Sequence, residues 1–150
     1  QRVEDAVAAT KAAMEEGIVP GGGIALLRAG NELKSDTSVA AGLSAAAGIL
    51  IAATEAPIRA ILENSGQNPD NIIKQLIGQS GWQGFDAAKQ TVTDLKAAGI
   101  VDPLKVTKTA LLNAVSVAAN YLTIGAAVTE IPKKESDAPA GGMPPMGGGF

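Results

Sequence analysis

The stretch Glu15-Glu16-Gly17-Ile18-Val19-Pro20-Gly21-Gly22-Gly23-Ile24-Ala25-Leu26-Leu27-Arg28 decides how this chain is read. A helical stripe of Val3, Ala6, Val7 and Met14 runs into it from the N-terminus, with Glu4, Lys11 and Glu15 off the stripe. Gly17 ends that helix, because the left-handed position just past a helix end suits a residue without Cβ. Ile18-Val19-Pro20 is then a short extended link, since the residue before a proline is biased away from helix. Gly21-Gly22-Gly23 bends the chain into a second helix that runs to about Leu33. Glycines at a helix N-terminus leave N–H groups and the positive dipole end open to close approach. The same glycines also serve as a plain bend.

Outward from this point the chain reads as helices. Lys34–Ser38 is a polar loop, with Asp36 or Ser38 as a cap for the next helix. Residues 39–54 are nearly all small and apolar, but the run is shorter than the ~20 residues a membrane span needs and meets Glu55 and Arg59. It reads as a helix buried on most faces. Pro57 should kink or restart it before Ile58, Ile61 and Leu62 continue an apolar face to Gly66. Asn68 caps the helix after that, with Pro69 at its first turn and Ile72, Ile73, Leu76 and Ile77 along it.

Residues 78–86 form a Gly-rich hairpin or loop, and 88–98 read as a short amphipathic helix built on Val92 and Leu95. Residues 99–103 are a turn. A long apolar helix then runs from about Leu104 to Gly125, faced by Val106, Leu111, Val115, Val117 and Leu122. Val128-Thr129-Glu130-Ile131 alternates like a strand and stops at Pro132. Beyond Lys133 the charged and then Gly/Met/Pro-rich segment cannot recover its ordering entropy by burial and reads as a disordered tail.

Composition bounds the chemistry. The chain has 150 residues, is 46% hydrophobic and 18% charged, and carries a net charge of −3, which suits one domain with a core and not a basic nucleic-acid platform. Aromatics are only 3%, so the core is aliphatic and favours close-packed helices. With no Cys and no His, disulfide scaffolds, thiol catalysis, His-based triads and the usual zinc sites are excluded. The chain opens Gln1-Arg2-Val3-Glu4-Asp5, inside a helix and without a signal-peptide pattern, as a piece of something longer would. Asp5, Asp86 and Asp102 are each bland alone: a solvated helix face and two turn or capping aspartates.

In order, however, these pieces resemble the C-terminal part of a group I chaperonin, the 60-kDa heat-shock protein family. The resemblance is carried by Arg2-Val3-Glu4-Asp5-Ala6, Glu15 through Gly23, Glu55-Ala56-Pro57-Ile58-Arg59 and Gly84-Phe85-Asp86-Ala87-Ala88. It continues through Gly99-Ile100-Val101-Asp102-Pro103 with Lys105-Val106, and ends with Val128-Thr129-Glu130-Ile131-Pro132 and the Gly/Met tail. It implies a mainly α fold: a multi-helix bundle forming the second half of an equatorial domain, with a short β-hairpin and a C-terminal strand. Residues 1–16 would be the last helix and hinge of an intermediate domain, 17–132 the C-terminal half of the equatorial ATP-binding domain, and 133–150 the tail.

The resemblance also implies roles. Asp5 matches the aspartate that helps activate the water attacking the γ-phosphate, a job for a carboxylate that orients and polarises water. Gly22 matches a backbone contact to the nucleoside, and Asp102 the acceptor for ribose hydroxyls. Asp86, Ala87 and Ala88 match the loop against adenine. The family usually has Asn where this chain has Asp86, and a carboxylate accepts from the adenine amino group but cannot donate.

The family's Thr-Leu-Gly-Pro-Lys-Gly phosphate loop and Asp-Gly-Thr-Thr-Thr metal motif are not in these residues. The resemblance therefore implies ATP with Mg²⁺, and K⁺, as cofactors of a longer parent, with no metal ligand here and no ATP turnover by the 150 residues alone. It implies a homo-oligomeric heptameric ring, stacked in pairs, with a co-chaperonin lid and unfolded protein clients, and neither nucleic acid nor membrane as partner. It places the parent in the bacterial cytoplasm, with an organelle matrix as the alternative. A different reading of the same residues is a non-catalytic helical interaction module.

Overall fold

The structure, a computed structural model, describes residues 2–35 and 44–130. Among them the chain forms α1 (Arg2–Glu16), β1 (Ile18–Pro20), α2 (Ile24–Ser35), α3 (Ser44–Asn64), α4 (Pro69–Ile77), β2 (Gln83–Asp86), β3 (Thr91–Asp94), β4 (Val101–Pro103) and α5 (Leu104–Thr123). The class is mainly helical with two small antiparallel ladders, as the sequence indicates.

The helix ends obey local chemistry. Gly17 sits past α1 at φ +84°. Gly66, at φ +76°, closes α3 in a paired motif: the Gln67 N–H donates to the Leu62 carbonyl and the Gly66 N–H to that of Glu63, both at 2.9 Å. Asn68 caps α4, its Oδ1 accepting from the N–H groups of Asp70 at 3.0 Å and Asn71 at 3.4 Å. Pro69 comes next at the first helical position, where a missing N–H costs nothing.

Two expectations are corrected here. Residues 88–98 are not a helix: Thr91-Val92-Thr93-Asp94 is β3, paired antiparallel with β2 in the register Gln83↔Asp94, Gly84↔Thr93, Phe85↔Val92 and Asp86↔Thr91. The β-branched run favours strand, and the turn at 87–90, with Gln90 at φ 55°, returns the chain to pair. Leu95 is then buried by the hairpin itself, and the Asp94 carboxylate accepts from the Ala97 N–H at 2.9 Å to close the turn after it. Pro57 does not restart its helix, and α3 is continuous through it. Pro57 and Ala53 are both exposed, so the carbonyl that loses its helical partner faces water.

The core is Ile24 and Leu27 of α2, Ile58 and Leu62 of α3, Ile73 and Leu76 of α4, Phe85 of β2, and Leu95. α2 lies against α3 closely enough that a Cβ on Gly30 would fall 2.2 Å from Thr54 Oγ1. The expectation that the apolar run of 39–54 is buried on most faces also fails for its described part. Of its residues only Thr54 is buried, while Ile49, Ala52 and Ala53 are exposed. Among the described elements α3 packs mainly on α2 and α4. By length and composition alone Ala45–Asn64 could cross a membrane, but Thr54, Ile58 and Leu62 are sealed in the core.

α1 packs on α5 and β4, yet neither helix buries a single residue fully. The faces read as apolar stripes, Val3, Val7 and Met14 on α1 and Val115, Val117 and Leu122 on α5, lie open. Val128–Glu130 forms no ladder with the other described residues, and Ile131, Pro132 and the tail lie outside the described residues, as do both candidate caps Asp36 and Ser38.

Candidate functional site

β1 and β4, far apart in sequence, pair antiparallel with Val19 opposite Asp102. The Gly21 N–H extends the ladder by donating to the Ile100 carbonyl at 3.1 Å. The chain then turns through Gly22 at φ 67° and Gly23 at φ 80° into α2. Gly23 is needed twice: a Cβ there would fall 2.9 Å from the Ile58 backbone nitrogen, besides the strain of its φ. Around Gly22 there is nothing within 4 Å of where a Cβ would be, so the turn is open on that side.

Asp102 is half-buried on β4. Burial holds its carboxyl above the usual carboxylate range, since desolvation disfavours the charged form. Among the described residues no donor bonds this carboxylate. Its oxygens keep access to solvent, so they are open to a donor from outside the chain.

Asp86 ends β2 and is only 4% exposed. Its Oδ1 accepts from the N–H groups of Ala88 at 3.0 Å and Lys89 at 3.1 Å, and Lys89 Nζ lies 3.7 Å from Oδ2. The carboxylate thus folds its own loop, the ordinary role of an aspartate at such a turn. Ala87 is half-buried and Ala88 exposed.

The hairpin is carried to the glycine turn by packing. Gly84 lies so tightly against Leu95 and Ile24 that a Cβ would fall 2.3 Å from Leu95 Cδ1 and 3.0 Å from Ile24 Cγ1. Arg28, one turn further along α2, reaches the carbonyls of Gly81 and Gln83. As α2 advances from Ile24 to Arg28, its hairpin contacts retreat from Gly84 toward Gly81, so β2 runs against α2. The Ile100 N–H bonds the Leu95 carbonyl at 2.8 Å, tying the same hairpin to β4. The start of α2, the hairpin and β4 are thus linked through Ile24, Gly84, Leu95 and Ile100.

Asp5 stands apart. It lies in the exposed first turn of α1, about 18 Å along the helix axis from Gly17 at a rise of 1.5 Å per residue. At the other end α1 is held: Lys105 bonds Glu15, Lys108 Nζ lies 2.5 Å from Glu16 Oε2, and the Leu104 N–H donates to the Gly17 carbonyl at 3.1 Å. The hydrogen bond that Lys105 donates to Glu15 raises the Lys105 pKa above its ordinary value. Sequence reasoning missed these pairs and Arg28. The signal for the pairs was Lys105 and Lys108, three apart on one face of α5, with Glu15-Glu16 ending α1.

Among the described residues no group of three or more acidic, His or Cys side chains is placed to hold a metal ion. Two shallow apolar depressions lie elsewhere, one on α1 along Val3, Ala6 and Val7, the other on α5 along Val117, Tyr121 and Leu122.

The sequence of residues 1–132 matches the TCP-1/cpn60 chaperonin family. Among solved structures, the fold is similar to an open-state monomer of a group II chaperonin from Methanococcoides burtonii, with a TM-score of 0.72 and 25% identity over 81% of this chain and 32% of that one. It is also similar to a group III chaperonin in the open state, with a TM-score of 0.70 and 29% identity over 78% of this chain and 25% of that one. The chain thus spans a third or less of the length of the proteins it matches.

Proposed function

Because the chain belongs to the TCP-1/cpn60 chaperonin family, we propose that it supplies the nucleoside side of a chaperonin ATP site together with the carboxylate arm that acts on the attacking water. The observation that carries this reading is Asp102, a half-buried carboxylate without a donor among the described residues, on the small ladder that leads into the turn at Gly22 with its open flank. Ribose hydroxyls would supply the missing donors as charge-assisted hydrogen bonds. Ala87 and Ala88 pack against adenine, while Asp86 keeps their loop in shape. Asp5 reaches the γ-phosphate when α1 swings about Gly17, and there orients and polarises water. Mg²⁺ supplies charge neutralisation on the phosphates when bound; the described residues offer it no ligand set, and no step assigned to this chain runs through it.

In this reading residues 1–16 belong to an intermediate domain and 17–132 to the equatorial domain, with 133–150 as a tail. The whole protein is a group I chaperonin of the bacterial cytoplasm: stacked rings of seven with a lid, using ATP, Mg²⁺ and K⁺ to enclose and fold non-native proteins. The open apolar faces of α1 and α5 favour a second reading, a non-catalytic assembly module, for the 150 residues by themselves.

The deciding experiment is nucleotide binding and turnover by the complete gene product with and without Asp5→Ala. Lost turnover with retained ATP binding supports the ATPase reading. Unchanged turnover removes Asp5 from the chemistry, and an unaltered protein that binds no nucleotide leaves the assembly module.

A further inference from the structure

The root of hairpin β2–β3 is tied from both sides. The Leu95 N–H bonds the Trp82 carbonyl at 2.8 Å within the hairpin. In an antiparallel pair the carbonyls of adjacent residues point to opposite edges, so that of Gln83 faces away from β3. Gly81 lies in the turn just before that strand. These two carbonyls are the ones Arg28 takes, Nη1 donating to Gly81 and Nη2 to Gln83 at 2.7 Å.

A planar guanidinium can bridge two acceptors in a fixed geometry, which a lysine ammonium on its flexible stem cannot. The site is also a costly place for a cation. Its acceptors here are neutral carbonyls, burial lowers the Arg28 pKa, and Nε is buried without a partner. A plain helix-to-hairpin contact would be met more cheaply by an aliphatic side chain. What the fork adds is a fixed placement of the hairpin along α2.

We propose that Arg28 is a positioning residue for base recognition: it sets where the Asp86–Ala88 loop at the far end of the hairpin stands relative to the Gly21–Gly23 turn at the start of α2. This rests on the nucleotide reading above. Shifting the root along α2 moves the base loop against a turn that is itself fixed by Gly23 on Ile58.

The test measures ATP and GTP affinity, thermal melting and amide exchange at Ala88 and Lys89 in the complete gene product and its Arg28→Gln and Arg28→Lys variants. Arg28→Gln should weaken ATP roughly tenfold, equivalent to about 1.4 kcal/mol. GTP should hardly change, so that base preference falls, and exchange at Ala88 and Lys89 should quicken. Arg28→Lys should fail to restore the preference. A purely structural role would weaken both nucleotides alike, and that result, or an unchanged preference, overturns the inference. Should Arg28→Gln not fold, Arg28→Lys carries the same comparison of ATP with GTP. An unaltered protein that binds neither nucleotide overturns the nucleotide reading first and the inference with it.

Discussion

Lys108 and Glu16 meet across the junction of α1 and α5, with Nζ 2.5 Å from Oε2, one turn from the pair formed by Lys105 and Glu15. Both pairs lie at the end of α1 next to Gly17 and far from Asp5. They hold the base of the helix, at the opposite end from Asp5.

Both pairs are solvent-exposed, so they contribute little to global stability and are screened by salt. The double variant Lys105→Ala/Lys108→Ala should leave the core melting transition nearly unchanged and speed amide exchange along α1. High salt should reproduce the effect in the unaltered protein. The Lys105 pKa is raised in the folded state, so its contribution is complete below the ordinary lysine range and disappears as pH rises through the raised value. Exchange along α1 tracked into alkaline pH checks the sign.

Gly22 and Gly23 should separate stability from binding. Gly23→Ala combines positive φ with contact on the Ile58 backbone and should cost about 2 kcal/mol or more in urea unfolding. Gly22→Ala meets open space and should cost only about 1 kcal/mol, from its φ. For nucleotide affinity the order should reverse, because only Gly22 presents an open flank.

Asp102→Asn should move stability and binding in opposite directions. The folded carboxyl is shifted up by desolvation, so the native state holds its proton to higher pH than the unfolded chain. The favourable contribution is present below the ordinary carboxylate range and is lost as pH rises through the raised value. At neutral pH the neutral amide should therefore stabilise the fold, by under about 1 kcal/mol given that the group is only half-buried. The gain should vanish in acid. Nucleotide affinity should fall at the same time, which equilibrium titration would show.

Asp86→Ala removes the acceptor for two loop N–H groups and should cost about 2 kcal/mol. Asp86→Asn keeps one carbonyl oxygen for both and should fold nearly as well, losing only the attraction of Lys89. Urea unfolding distinguishes the two.

The 150 residues alone should self-associate through α1 and α5. Leu122 is 86% exposed and stands with Val115 and Val117 on a helix that buries nothing fully. Sedimentation should show concentration-dependent assembly that Leu122→Lys reduces, with no ATP turnover at any concentration.

What the sequence disclosed was chemistry that acts within a turn or two of chain. Gly17, Gly66 and the Asn68-Pro69 start are set by φ and by a few adjacent N–H groups, and all appear where the residues put them. Val92 and Leu95, three apart, mimic a helical stripe, and only the pairing of Thr91–Asp94 with Gln83–Asp86 shows which period applies. The pairing of Val19 with Asp102 is invisible locally, as is the reach of Arg28 to Gly81. Residues 45–53 and Val115, Val117 and Leu122 are apolar yet not buried, because composition measures what can be buried and not whether a neighbour stands there.

The β1–β4 ladder also imposes an order of events during synthesis. Its strands are separated by about eighty residues, and bringing the ends of such a loop together costs about 4 kcal/mol of chain entropy before any contact is made. Gly22 leaves the ribosome long before Asp102 does, and α1 has nothing to lean on until β4 and the first turns of α5 have emerged. The ladder that joins them is thus completed late in translation. A nascent chain stalled between Asp94 and Val101 has the glycine turn and the hairpin, but not the strand that carries Asp102.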